Sequence, residues 1–150
     1  MVRWIAFASA VLVTACDITG GASHDEVARA KSPDGLVDAV LVETNAGATT
    51  SFGYEIHIVP SGGSPSASSE IAFLYGAVRS QEAYGANLRW GSPTSLAIEY
   101  LSARSAELKQ PSVSVAEHEI IVQLVDGVSD PNAPPGGMLY NLQGRPHDPQ

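Results

Sequence analysis

Glu55 and His57 stand two residues apart in the alternating stretch Tyr54-Glu55-Ile56-His57-Ile58. On an extended strand this spacing puts both side chains on one face, opposite Tyr54, Ile56 and Ile58. A carboxylate beside an imidazole can orient a general base or give two ligands to a metal ion. Glu99 and Glu119 are the carboxylates that neighbouring strands could bring to the same face. A zinc site wants three or four protein ligands, and the spacing names two, Glu55 and His57. A solvated polar sheet face is therefore the simpler expectation.

Other catalytic patterns are missing. No serine sits in a G-x-S-x-G elbow, and the chain has neither a Walker loop nor a G-x-G-x-x-G turn. His24, His118 and His147 are scattered along the chain. A Ser-His-acid triad joins residues distant in sequence, so spacing alone does not reveal one. No cofactor is expected, and the chain reads as a non-enzyme. Asn45, Thr49 and Thr50, in the polar stretch NAGATT, are candidates for a partner-binding loop, since such loops often carry function. A hydrogen-bonded connection around Gly47 is the plainer alternative. Trp90, Tyr84 and Tyr75 could form an exposed aromatic patch, although a tryptophan beside Leu88 is more often core.

The elements that must hold these residues are strands. Ser32-Pro33-Asp34-Gly35 is a turn, because proline presets φ and Asp-Gly accepts unusual backbone angles. LVDAVLVE, from Leu36 to Glu43, reads as a mostly buried strand. YEIHI alternates cleanly, and EIAFLY, from Glu70 to Tyr75, is a further strand. Between them PSGGSPSASS, from Pro60 to Ser69, reads as a flexible low-complexity loop. Residues 76–86 show no firm period. Asn87 to Trp90 leads through GSPT into SLAIEYL as a hairpin, with Leu96, Ile98 and Tyr100 on one face. ARSAELK, from Ala103 to Lys109, reads as a short helix or an irregular link. EIIVQLV, from Glu119 to Val125, points Ile120, Val122 and Leu124 inward. About six strands with almost no helical period imply an all-β fold: a single small antiparallel sheet, a sandwich or a partly open barrel. The β domain is expected over 32–126, with a Pro/Gly-rich tail over 127–150, disordered or loosely draped, whose only core-type residues are Met138, Leu139, Tyr140 and Leu142.

The N-terminus carries a different chemistry. MVRW holds one positive charge, at Arg3, and the apolar run IAFASAVLV follows from Ile5 to Val13. Small residues come next, then Cys16, the one cysteine in the chain. A basic start, a short apolar core and a small-residue cleavage site have the order of an export signal. The run is too short to span a bilayer, which takes about 20 apolar residues. Val13-Thr14-Ala15-Cys16 resembles the lipobox of bacterial lipoproteins. That resemblance implies cleavage after residue 15, a diacylglyceryl group on the Cys16 sulfur and acylation of its new amino group. One acyl chain holds a protein to a membrane only marginally, whereas two or more hold it firmly. Residues 16–31 then read as a flexible tether with a typical span of about 20 Å. Asp17, directly behind the cysteine, leans towards retention in the inner membrane.

Composition narrows the classes further. The chain has 150 residues and a net charge of −8, which becomes one unit more negative once Arg3 is removed. One domain is the expected size. An acidic chain lacks the basic patch that nucleic-acid binding needs. With Cys16 lipidated, no thiol is left for catalysis, redox chemistry or zinc. SPDGLVDAVLV and RWGSPTSLAIEY each resemble the strand-turn-strand units of TolB-type propellers, but a propeller typically needs four or more blades. The succession SPDG, NAGATT, YEIHIVPSG and LRWGSPTSLAIEY is similar to a family of small envelope proteins with a CGATT-like motif. Here Ala46 stands where that cysteine is expected, so any disulfide made there is absent. The resemblance implies a β fold and an envelope location, and no activity. The expectation is a lipid-anchored envelope protein acting as a binding or structural module, with an envelope protein or the cell wall as partner. A small metal-binding protein or hydrolase using Glu55 and His57, and an acidic inhibitor or immunity lipoprotein, are the alternatives.

Overall fold

The computed structural model describes residues 21–134. Cys16, the signal over 1–15 and the tail from residue 135 lie outside them. The fold is all-β, and among the described residues eleven strands form three sheets, none closed into a barrel. Strands β1 (Ser23–Lys31), β2 (Val37–Asn45), β3 (Gly53–Pro60), β4 (Glu70–Tyr75) and β9 (Ser105–Leu108) make a five-stranded sheet in that order. Strands β10 (Ser112–Val115), β11 (His118–Val125), β8 (Ser95–Glu99) and β7 (Asn87–Ser92) make a four-stranded one. Strands β5 (Val78–Ser80) and β6 (Ala83–Tyr84) pair alone.

The alternation read from sequence is the alternation of the core. Tyr54, Ile56 and Ile58 of β3, Leu96 and Ile98 of β8, and Ile120 and Val122 of β11 are all buried in one cluster shared by the two large sheets. Ile71 and Leu74 of β4 join it. Trp90 belongs to its margin, and the indole Nε1–H donates to the Ala30 carbonyl at 2.9 Å, tying β7 to β1.

Several expectations need correction. The sheet is not single, and β8 and β11 run parallel. Residues 23–31 are not tether but strand β1, paired antiparallel with β2 from Ser23↔Asn45 to Lys31↔Asp38. Backbone pairing along an edge does not require an alternating apolar face, and SHDEVARAK shows none. Residues 103–109 contain the edge strand β9 rather than a helix. The start of the presumed tail also docks: Val128 N–H donates to the Tyr100 carbonyl at 3.1 Å, and Asn87 Nδ2 to Asp130 Oδ2 at 3.1 Å. The domain therefore begins before residue 32 and continues past 126.

The SPDG turn ahead of β2 is tied to the start of β11. Asp34 accepts from the Ser32 hydroxyl at 2.6 Å and lies 2.8 Å from His118 Nε2. The Ser32 bond, with help from Leu36 N–H and His118, holds the Asp34 carboxyl below its ordinary range. One turn is costly. Ala116 and Glu117 join β10 to β11 with φ of 48° and 66°. Two positive φ values suit a two-residue type I′ hairpin, which favours Asn-Gly. A side chain in the left-handed region costs about 1–2 kcal/mol. Replacing the pair (Ala116→Asn with Glu117→Gly) should raise the unfolding free energy by about 1–2 kcal/mol, read from urea denaturation midpoints. No gain would show that the turn carries no strain.

Candidate functional site

Strand β2 is buried on both faces, and this shapes the site. Val37, Ala39 and Leu41 point into the shared core, while Val40 and Val42 point outward and cluster with Val59 of β3. Apolar residues on an outer face need a cover. The loop 60–69 returns across this face. Gly62 N–H donates to Asp38 Oδ2 at 2.8 Å, Arg29 Nη2 donates to the Gly63 carbonyl at 3.2 Å, and Lys31 Nζ donates to Ser61 Oγ at 2.6 Å. The turn closes with Gly63 N–H on the Pro60 carbonyl at 2.7 Å and Gly62 at φ 77°, a conformation open to glycine. A Cβ on Gly63 would stand 2.8 Å from the Pro60 oxygen. The loop is thus pinned, and it ends in a short 3₁₀ turn over Ala67–Ser69.

Under this cover lies His57. It shares the outer face with Glu55, as the spacing implies, but it is only 3 % exposed. Its Nδ1 lies 3.2 Å from Ser69 Oγ, and its Nε2 lies 3.4 Å from Glu55 Oε2. The other Glu55 oxygen lies 3.5 Å from His24 Nδ1 on β1. Four side chains from β1, β3 and the loop end thus form one chain: Ser69, His57, Glu55, His24. By sequence alone His24 lies in the tether and Ser69 in the low-complexity loop. Neither carries a spacing signal, because strand pairing and loop return bring them in.

The chain borders a cavity of about 500 Å³, lined also by Glu26, Val42 and Glu70. Glu26 pairs with Arg29 at 2.8 Å and Glu70 with Lys109 at 2.6 Å. The Glu70 bond pushes the Lys109 ammonium above its usual range. A second cavity, about 450 Å³, lies on the other side of the loop end, between Val59, Pro60, Val113 and Val115. Ser66 lines both cavities, and Ser69 lines the second.

The other candidates go elsewhere. Glu99 and Glu119 belong to the four-stranded sheet and do not join Glu55 and His57; Glu99 pairs with Arg89, and Glu119 accepts from Ser112 Oγ at 3.0 Å. Among the described residues no three His, Cys, Asp or Glu side chains are placed to hold a metal ion. Asn45 accepts from Gly47 N–H at 2.9 Å, and Thr50 Oγ1 donates to the Gly47 carbonyl at 3.0 Å. Both bonds are internal to the turn, while Thr49 is exposed beside them. Tyr84 stacks edge-on against Phe52, and the Tyr75 hydroxyl accepts from Ser51 N–H at 3.0 Å. Each aromatic has its own structural partner.

Sequence gave no hint of one further group. Glu43, at the end of the β2 run, is fully buried on the core side. It lies between Asp25 of β1 and Tyr54 of β3 across the sheet. The Tyr54 hydroxyl faces its carboxylate, but no well-formed hydrogen bond reaches either oxygen. Burial pushes the Glu43 carboxyl above its ordinary range; the Tyr54 hydroxyl and Arg79 pull against this, and the Asp25 charge adds to it. Burial, then the Glu43 charge, pushes the Tyr54 phenol up as well.

With this geometry in hand, comparison with known proteins adds nothing: no family model, curated protein or solved structure matches the chain.

Proposed function

We propose that the chain is a lipid-anchored binding module of the bacterial cell envelope, held outside the cytoplasm by acyl chains on Cys16. In this reading the two large sheets form a sandwich, and ligand binds around loop 60–69, on the outer side of the five-stranded sheet and at its border with β10. The observation that carries the binding role is the pair of cavities flanking the pinned loop 60–69, one of them lined by His24, Glu26, Glu55, His57 and Glu70. Their volumes fall in the range of small-ligand sites. The lipobox Val13-Thr14-Ala15-Cys16 supports the anchor. Strand β1 begins at Ser23, seven residues beyond Cys16. At about 3.5 Å per residue the connection reaches at most about 25 Å. The domain would therefore stand close to the bilayer, with the N-terminal end of β1 and its His24 nearest. Asp17 favours the inner membrane.

Two measurements test this. Wild type should sediment with membranes in high salt and enter solution only with detergent, whereas Cys16→Ser should be soluble without it. Equal fractionation of the two would remove the anchor. A photo-crosslinking residue at Ala67, on the cavity rim, should capture an envelope component in cells. The same residue at Ile121, exposed on the other large sheet, should not. Equal capture at both positions, or none at Ala67, would remove this face as the binding surface.

A further inference from the structure

We propose that Ser69, His57 and Glu55 form a nucleophile–base–acid relay that cleaves acyl esters, with the acyl chain in the cavity beside β10. This rests on the reading that ligand binds around loop 60–69, and it names the chemistry of the ligand. A relay of this kind has a nucleophile within hydrogen-bond reach of a base, and a third group that orients the base. Ser69 Oγ lies 3.2 Å from His57 Nδ1, and Glu55 Oε2 lies 3.4 Å from His57 Nε2. Catalytic hydrogen bonds are often long before substrate binds.

The directions of these contacts decide the tautomer. An ionised carboxylate only accepts, so Glu55 draws the ring proton to Nε2. The Nδ1 lone pair then faces Ser69, as a general base requires. His57 has little freedom to turn away, since its side chain is 4 % exposed under the loop. Ser69 is held too. Its oxygen accepts from Ser66 N–H at 2.9 Å, and its hydroxyl donates to the Ser66 carbonyl at 2.9 Å. Rotation of that hydroxyl moves its proton from the Ser66 carbonyl to Nδ1, exchanging one hydrogen bond for another. The oxygen itself stays in place.

The substrate class follows from the cavity that Ser69 lines. Val59, Pro60, Val113 and Val115 give it apolar lining, and Ser64, Ser66, Ser68 and Ser114 line it as well. The apolar lining suits an acyl chain, and serine hydroxyls suit an ester carbonyl. The cavity also touches Ala116, one of the two non-glycine residues with positive φ. Strain of that kind gathers at functional sites.

The chemistry balances without a co-reactant other than water. Ser69 Oγ bonds to the acyl carbon as its proton passes to His57 Nδ1. The ester C–O bond breaks, and the leaving alcohol takes that proton. Water then attacks the acyl-serine, giving its proton to Nδ1, and the proton returns to Oγ as the acid leaves. Ester and water become acid and alcohol. Ser69 and His57 are the catalytic residues, and Glu55 is a positioning residue. A general base contributes about 10²–10⁴-fold, so slow turnover of activated esters is expected.

The test uses the full chain in mild detergent with a fluorophosphonate probe and p-nitrophenyl butyrate. One adduct should form on Ser69, with loss of fluoride, as read by peptide mass spectrometry. Labelling should disappear in Ser69→Ala and fall at least tenfold in His57→Gln. Ester hydrolysis should follow the same order. Glu55→Gln should lower kcat at little change in KM, and Glu55→Asp should recover part of the loss; a merely structural Glu55 would give no such recovery. Thermal melts check that each variant folds. If His57→Gln does not fold, the more exposed Glu55 variants decide. No adduct, an adduct on another serine, or full labelling in Glu55→Gln would overturn the relay. Site-specific capture at Ala67 without labelling would leave a binding module and remove the chemistry. Labelling of Ser69 without capture would do the reverse.

Discussion

Glu43→Met should unfold later than wild type at pH 7, by about 3 kcal/mol, and Glu43→Gln by about 1–2 kcal/mol. Most buried carboxylates stabilise a fold because they are paired. Glu43 is fully buried, no well-formed hydrogen bond reaches either oxygen, and the Tyr54 hydroxyl that faces it offsets only part of the cost of burial. Asp25, across the β1–β2 pair, carries the same charge. Methionine keeps the length and removes both unpaired oxygens. Glutamine removes the charge alone, so it should recover less. The sign of the pH dependence follows from the raised carboxyl. The folded state binds the proton more tightly than the unfolded state does, so the penalty is absent below the ordinary value of 4.5 and grows as pH rises through the folded one. The Glu43→Gln advantage should therefore shrink to near zero at pH 4 and be largest at neutral pH. A gain of about 2 kcal/mol raises the melting midpoint of a domain this size by roughly 5–8 °C. Urea titrations of the three proteins between pH 4 and pH 8 read the whole pattern. If Glu43→Gln were less stable than wild type at pH 7, Glu43 would be ionised and held by Arg79, and the account above would be wrong.

Glu43 also shows where sequence stops being legible. The run Val37 to Val42 announces a buried strand, and the strand is there. Nothing in VDAVLVE says that the last carboxylate turns inward and Asp38 outward, since both could lie at the sheet's wet margin. Period-two strands were readable wherever one face met the core: Tyr54, Ile56 and Ile58; Leu96 and Ile98; Ile120 and Val122. Strands β1 and β9 carry mostly polar or small residues, and their pairing is backbone to backbone, so no clear side-chain period marks them; β10, SVSV, alternates but is only four residues long. Strands β5 and β6 are too short to have a period. The parallel β8–β11 pair joins segments more than twenty residues apart, a long-range choice that local pattern does not encode. The site was half legible. Glu55 and His57 were named by their spacing, but their partners were not. His24 lies in an edge strand without a pattern. Ser69 is one of several serines in a low-complexity stretch. Composition reads such a stretch as flexible, whereas three loop residues are tied back to the charged side chains of β1 and β2.

Those ties make the second large prediction. Asp38→Asn should cost about 2–3 kcal/mol and loosen the loop 60–69 before the rest of the fold. Asp38 is 1 % exposed on the outer face of β2. Burial alone would raise its pKa. Gly62 N–H, Arg29 and Lys31 outweigh burial and hold it below the ordinary range. An amide keeps the shape but loses the charge that Arg29, 2.9 Å away, completes. It also weakens the acceptor for Gly62 N–H, which anchors the loop at its first turn. The linkage is opposite to that of Glu43. The lowered Asp38 carboxyl contributes stability at pH values above the ordinary 3.8, and that contribution is lost as pH falls through the folded value. Wild type should therefore lose ground to Asp38→Asn only in acid, whereas it loses ground to Glu43→Gln only above pH 4.5. Two carboxylates on opposite faces of one strand thus act in separate pH windows. Hydrogen exchange distinguishes loop from core: in Asp38→Asn the amides of residues 61–69 should exchange faster at pH 7 while those of β3 and β8 keep most of their protection. Uniform loss of protection would mean that Asp38 supports the whole sheet rather than the loop. If the loop amides stay protected, the cover over His57 is held by packing on Val40, Val42 and Val59, and the charged ties are incidental.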